Sequence, residues 1–272
     1  MEYSFINLDS CVERKRFVES NFSSAANKQK NITRIDAVDT AYIATHKVAG
    51  ILRDNEKACY LSHCKAIEAS ITHNDHVFIA EDDVLFCERS TQVTETVINS
   101  IKSSAWDVIY TDICFPHLDI MLDLFVRRRV FDQDSKIHLI NLVNKRFTGA
   151  TAYIINKASK QKVLDLLRTN SIDTPIDLAL RQLFHAKKIK GHALFPFTTS
   201  LSMYAENSQI QAEDDLVPDF LFNAFRRLVW LGRDIDTALA TVDKIDPSIY
   251  QPDSDAFCVL LRGLFSEKIK LK

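Results

Sequence analysis

Glycine is scarce in this chain, with five in 272 residues. None builds a GxGxxG fingerprint or a phosphate loop, so a bound nucleotide must be held by something other than a glycine-rich turn. The six cysteines, Cys11, Cys59, Cys64, Cys87, Cys114 and Cys258, contain no CxxC pair, so a zinc site is not expected. No apolar run is long enough to span a bilayer, and the first residues show neither a basic stretch nor an apolar signal core. A cytoplasmic chain with reduced thiols is the expectation. An excess of basic charge is also missing: 34 Lys and Arg against 36 Asp and Glu leave a net charge of −2, no field for nucleic acid. With 46% apolar and 26% charged residues, the chain has the composition and length to bury a full core. Neither an internal repeat nor a low-complexity segment is evident.

What is present in concentrated form is acid. His76-Val77-Phe78-Ile79-Ala80-Glu81-Asp82-Asp83-Val84 reads as a buried strand of a parallel sheet that ends in three carboxylates. Along an extended chain Glu81 and Asp83 share one side and Asp82 takes the other. Neighbouring like charges repel, and partial burial sharpens the repulsion. A hard divalent cation, magnesium or manganese, relieves it; an acidic surface turn accounts for the same residues. In open α/β sheets ligands bind beyond the carboxyl ends of the strands.

Strands are expected at Tyr3–Leu8, Ile32–Val38, Val77–Ala80, Trp106–Tyr110, Ile137–Val143, Thr151–Ile155 and Ala193–Phe197. Helices are expected after an Asp9 or Ser10 cap, then at Asn55–Ile71, Val93–Ile101, Leu118–Phe131, Ala158–Leu167 and Pro175–Ala186. The alternation predicts an α/β fold with a mostly parallel sheet covered by helices. From Pro218 onward the pattern is helical only, roughly 218–231, 234–244 and 253–265, so residues 1–215 read as one domain and 216–272 as a helical extension. The apolar residues of that extension, from Phe220 to Leu231, are expected to pack on the main domain or on a second subunit, which admits a homodimer.

Several segments, in order, resemble glycosyltransferase family 25, the family of bacterial lipopolysaccharide and lipooligosaccharide glycosyltransferases and the collagen galactosyltransferases. They are Ile6-Asn7-Leu8-Asp9 with Glu13-Arg14, then Arg34 to Asp39, Glu56-Lys57-Ala58-Cys59-Tyr60-Leu61-Ser62-His63, Ile79 to Val84, Gly149 to Tyr153, Pro175-Ile176-Asp177 and Ser208-Gln209-Ile210. Asn55 departs from the pattern, where the family more often has glycine.

The resemblance implies a GT-A-like fold and transfer of a sugar, galactose foremost, from a UDP-sugar to an oligosaccharide or glycolipid such as a lipooligosaccharide. It implies Mn2+ or Mg2+ on Asp83 and Glu81, where a divalent ion acts as Lewis acid on the donor diphosphate. Donor contacts are expected from Asn7, Arg14, Ala37, Asp39, Glu81, Asp82 and Gly149; Arg14 has an ordinary alternative as an exposed helix arginine, Asp39 and Gly149 as turn residues, and Asp82 as a strand-end cap. Asp177 is the candidate base; as a first-turn residue behind Thr174 and Pro175 it is equally placed to stabilise its helix. Asp112 and Asp173 are the next bases to consider. His63 is expected as a hydrogen-bonded core histidine, since nothing orients it and Cys59 into a nucleophile triad. Arg127 to Arg129 are read as a solvated helix end or as a contact to an acidic acceptor. The expected location is the cytoplasm, which admits a peripheral position at the inner face of the cytoplasmic membrane. A metal-dependent phosphohydrolase and a non-catalytic nucleotide-sugar-binding module are the rivals.

Overall fold

A computed structural model describes residues 1–207, apart from Asn27 and Gln29, and residues 216–233. Ser208 to Ile210 and the helices expected at 234–244 and 253–265 lie outside the described residues.

Among the described residues the strands are β1 (Glu2–Asn7), β2 (Thr33–Asp36), β3 (Val77–Glu81), β4 (Val84–Phe86), β5 (Val108–Cys114), β6 (His138–Asn141), β7 (Thr148–Ile155), β8 (Gly191–Phe195) and β9 (Thr199–Leu201). The helices are α1 (Val12–Ala25), α2 (Thr40–His46), α3 (Asp54–Ser70), α4 (Ser90–Ser100), α5 (Leu118–Asp134), α6 (Lys160–Leu167), α7 (Ile176–His185) and α8 (Leu216–Val229). Seven strands form one sheet in the order β2-β1-β3-β7-β5-β8-β6, and β4 and β9 form a small antiparallel pair. β2, β1, β3, β5 and β8 run in one direction, while β7 and the edge strand β6 run against them. The result is a mixed α/β fold with a largely parallel sheet, consistent with a GT-A-like architecture.

β3 shows how the sequence selects its place. Val77 to Ala80 are buried on both faces, so the apolar run has no solvent side. Val77 and Ile79 join the larger core, with side chains of α3, α5, α6, α7 and α8. Phe78 and Ala80 join the core under α1 and α4. Each large side chain buried in this way stabilises the fold by about 1.5–3 kcal/mol.

Register places the site. Asn7 pairs with Asp36, and Ile6 with Glu81, so the ends of β1, β2 and β3 share one rim of the sheet. Because β7 is antiparallel, its beginning reaches the same rim: Ala152 pairs with Ala80, which carries Thr148 and Gly149 past the end of β3. The end of β5 arrives there too, with Cys114 opposite Thr148.

Three features depart from the sequence reading. α2 was not expected; it is short, and Asp39 caps it by accepting a hydrogen bond from Tyr42 N at 2.7 Å. Neither was the β4–β9 pair, each strand three residues long and too short to show a period. α1 begins behind Cys11 without a side-chain cap, so neither Asp9 nor Ser10 serves that role.

Candidate active site

The chain leaves β3 at Glu81 and turns through Asp82 and Asp83 into β4. Two cavities meet at this turn. The larger, about 720 Å³, is bounded by Asn7, Arg14, Ala37 to Asp39, Cys59, His63 and all three acidic residues. The smaller, about 280 Å³, is bounded by Cys59, Glu81, Asp83, Gly149, Asp177 and Arg226 among others. Glu81 and Asp83 face both cavities, whereas Asp82 faces only the larger, so the division expected from strand alternation is present although the backbone turns here.

Asp82 is engaged by protein. Asn7 Nδ2 donates to its Oδ2 at 2.7 Å, and Arg14 Nη1 donates to its Oδ1 at 2.8 Å. Arg14 also donates to Tyr204 O at 2.9 Å, and Arg34 Nε holds Asn7 Oδ1 at 2.9 Å. Asn7, Arg14 and Asp82, read from sequence as donor contacts, thus bind one another and fasten β1, α1 and the turn together. Asp39 commits one carboxyl oxygen to its helix cap, and the backbone N–H of Ala37 donates to Asn7 O at 3.1 Å.

Asp83 is different. Its Oδ1 is buried and has no hydrogen-bond partner. Burial pushes its carboxyl up to about 8, the charges of Glu81 and Asp82 add to the rise, and Arg226 and Arg14 oppose it. Glu81 is oriented from behind: His63 Nε2 lies 3.2 Å from Glu81 Oε1, and His63 Nδ1 lies 2.9 Å from the Tyr153 hydroxyl. The tautomer with Nε2–H donating to the carboxylate and the tyrosine hydroxyl donating to Nδ1 satisfies both contacts. His63 is therefore the buried, hydrogen-bonded histidine expected, and the residue it positions is Glu81. Glu56, its partner in the motif, instead caps α3 by accepting from Arg53 N at 3.1 Å.

Gly149 has φ of +87°, and a Cβ there would meet no atom within 4 Å. The glycine is needed for its backbone angle rather than for close protein packing. That angle aims its N–H at Asp177 Oδ2, at 2.7 Å. Pro175 is the N-cap of α7, so Asp177 is its second residue, one place earlier than the sequence suggested. The helix-end effect is also outweighed: burial raises the Asp177 carboxyl above its usual range, against the opposing N–H groups of Gly149 and Leu178. The alternative bases are otherwise occupied. Asp112 is fully buried and paired by Arg226, whose Nε donates to Oδ1 at 2.9 Å and whose Nη2 bonds Oδ2. Asp173 accepts from Ile51 N at 2.9 Å.

Arg226 lies in the segment read as an extension, yet it reaches the smaller cavity and also donates to Thr151 Oγ1 at 3.0 Å. α8 packs on β5 and β9. Sequence reasoning missed this residue because no local pattern marks an arginine that pairs across 114 positions. The other arginine cluster divides: Arg127 pairs with Asp123 on the surface at 2.8 Å, while Arg128 is buried and donates to Trp230 O at 3.3 Å, so it is not a solvated helix end.

Two donor sets in this region can hold a cation: the carboxylates of Glu81 and Asp83, and a mixed group of Cys59, His63 and Glu81. No curated protein matches the chain at a significant level. The family model described as Glycosyltransferase family 25 (LPS biosynthesis protein) matches residues 1–180, a span that contains the acidic turn, Gly149 and Asp177. With that match over about two thirds of its length, the chain belongs to glycosyltransferase family 25, a family of LPS biosynthesis proteins.

Proposed function

We propose that this glycosyltransferase moves a sugar, galactose foremost, from a UDP-sugar to a growing surface glycan of the lipooligosaccharide kind, with inversion at the anomeric carbon and with Mn2+ or Mg2+ as cofactor. The observation that carries the cation is Asp83 Oδ1, buried without a partner, on a residue that lines both cavities together with Glu81. An all-oxygen donor set suits a hard cation. Asp83 and Glu81 would hold it, and the ion supplies Lewis acidity to the leaving diphosphate. Family membership favours transfer over hydrolysis of a phosphate ester, and the acidic turn lining two cavities favours a working site over a binding module.

The protein's own residues divide the remaining work. The larger cavity is the donor cleft, with Ala37 to Asp39 along its nucleoside wall. Asn7 and Arg14 act by fixing Asp82 and hence the turn that carries Asp83. His63 and Tyr153 orient Glu81. The smaller cavity receives the acceptor, where Asp177 takes the proton of the attacking hydroxyl. Its raised proton affinity suits that task better than a helix-end carboxylate alone. No helix among the described residues is long and apolar enough to cross a membrane, so association with the inner membrane face is proposed as peripheral. Ala224, Phe225, Leu228 and Val229 of α8 are buried in the chain's own core, so among the described residues this stretch is not available to a second subunit.

The test is a panel of nucleotide sugars with manganese, following nucleotide release without acceptor. Slow hydrolysis of one UDP-sugar, lost in chelator, is expected. Release that is unaffected by excess chelator defeats the cation assignment, and release from none of the sugars defeats the donor class.

A further inference from the structure

Cys59 and His63 stand four residues apart on α3, so they share one helix face. That face meets the end of β3 at Glu81. The Cys59 sulfur, a His63 ring nitrogen and a Glu81 oxygen all lie within 4.8 Å of one another. They come from two rigid elements that the core fixes in place. The ring is already oriented by its other nitrogen, which faces the Tyr153 hydroxyl at 2.9 Å, the arrangement that presents Nε2 to a metal. Cys59 and Glu81 line both cavities and His63 lines the larger, so an ion entering from the cleft reaches all three.

We propose that Cys59, His63 and Glu81 form a cation site for a thiophilic divalent ion such as zinc, with a fourth position open to the cleft. One sulfur, one nitrogen and one oxygen are donors that zinc accepts together, and three protein ligands with an open place is the pattern of exposed zinc sites. The all-carboxylate pair of Glu81 and Asp83 lacks the soft donor. Binding displaces the thiol proton to solvent and replaces the present His63–Glu81 hydrogen bond by two metal bonds. The His63 proton, on Nε2 in the free chain, moves to Nδ1, and the Tyr153 hydroxyl turns from donor to acceptor of it. The two sites share Glu81, so zinc on this group excludes the harder ion from that carboxylate.

Cobalt(II) and zinc titrations of the full chain test the site. Expected are one bound ion per chain, a cobalt–thiolate absorption band, and loss of that band in Cys59→Ser, with zinc binding weakened about 100-fold or more. Asp83→Asn should retain both. Because a variant can fail to fold, the unaltered chain is also alkylated with and without zinc, and zinc should shield Cys59 but not Cys11. The proposal is overturned by absence of the band, by its survival in Cys59→Ser, by its loss in Asp83→Asn, or by equal alkylation of Cys59 in both conditions. None of these readouts depends on sugar transfer, so a failure here leaves the manganese panel untouched.

Discussion

Asp83 and Asp177 are both carboxylates raised by burial, and they differ in what surrounds them. Asp83 has an oxygen without a partner, whereas Asp177 is held by the Gly149 N–H. For Asp83 the folded value of about 8 lies above that of an unfolded aspartate, roughly 3.9. The folded protein therefore holds this proton more tightly than the unfolded chain. The stability it contributes is fully present below about pH 4 and is lost as pH rises toward about 8. In chelator, Asp83→Asn is expected to melt above the parent chain at pH 8 and level with it at pH 4; with manganese supplied, the variant is expected to lose transfer at every pH. Melting curves that run parallel across this window would show that Asp83 ionises in the ordinary range. Asp177→Asn keeps the shape and one acceptor for Gly149. Its turnover is expected to fall about 10²-fold or more, with UDP affinity nearly unchanged. Normal turnover with an earlier melt would make the residue a helix-end stabiliser only.

Between elements, two ionic contacts hold the rim. The Asp82 clamp ties β1 and α1 to the turn after β3, with Arg14 and Asp82 both mostly buried. Asp82→Ala is expected to cost about 1.5–3 kcal/mol, the usual range for hydrogen bonds to a charged group. It should also weaken manganese-dependent nucleotide binding, because the turn carrying Asp83 loosens; denaturant titration and nucleotide binding measure the two effects separately. The Arg226–Asp112 pair ties α8 to β5 and is buried on both sides. Removing only the arginine leaves a carboxylate without its partner in the core. Arg226→Met is expected to destabilise the fold by about 3–5 kcal/mol. Adding Asp112→Asn should recover a large part of that loss, and a double variant no more stable than Arg226→Met alone contradicts the assignment.

For the whole molecule, the question is whether the body ends near residue 215. Ala224, Phe225, Leu228, Val229, Trp230 and Leu231 are buried, and the Arg227 side chain donates to Leu201 O and Ser202 O at 3.3 and 3.0 Å. A chain cut before Leu216 exposes the core that these residues cover. It is expected to aggregate or to lose its cooperative melt, whereas an appended module that merely docks would come away without harm. Size-exclusion chromatography and calorimetry of the truncated chain decide between the two.

The pattern of residues along the chain was sufficient for much of this. The apolar run from Val77 to Ala80, the helical spacing in α3 and α7, and the acidic end of β3 are local features, and local backbone preferences and burial periods are written within a few residues. The ordered motifs from Asn7 to Asp177 likewise carried the family without any coordinates. What residues do to one another across the sheet was not legible. Sequence placed Asn7, Arg14 and Asp82 near a donor but could not show that they bind one another. Spacing put Cys59 and His63 on one helix face, but only the pairing of β1 with β3 and the packing of α3 bring Glu81 to them. The antiparallel entry of β7 puts Gly149 at the rim, and α8 brings Arg226 to Asp112 from 114 residues away. Such contacts are set by strand order, register and the closing of long loops, and those depend on the whole core being assembled rather than on any window of sequence.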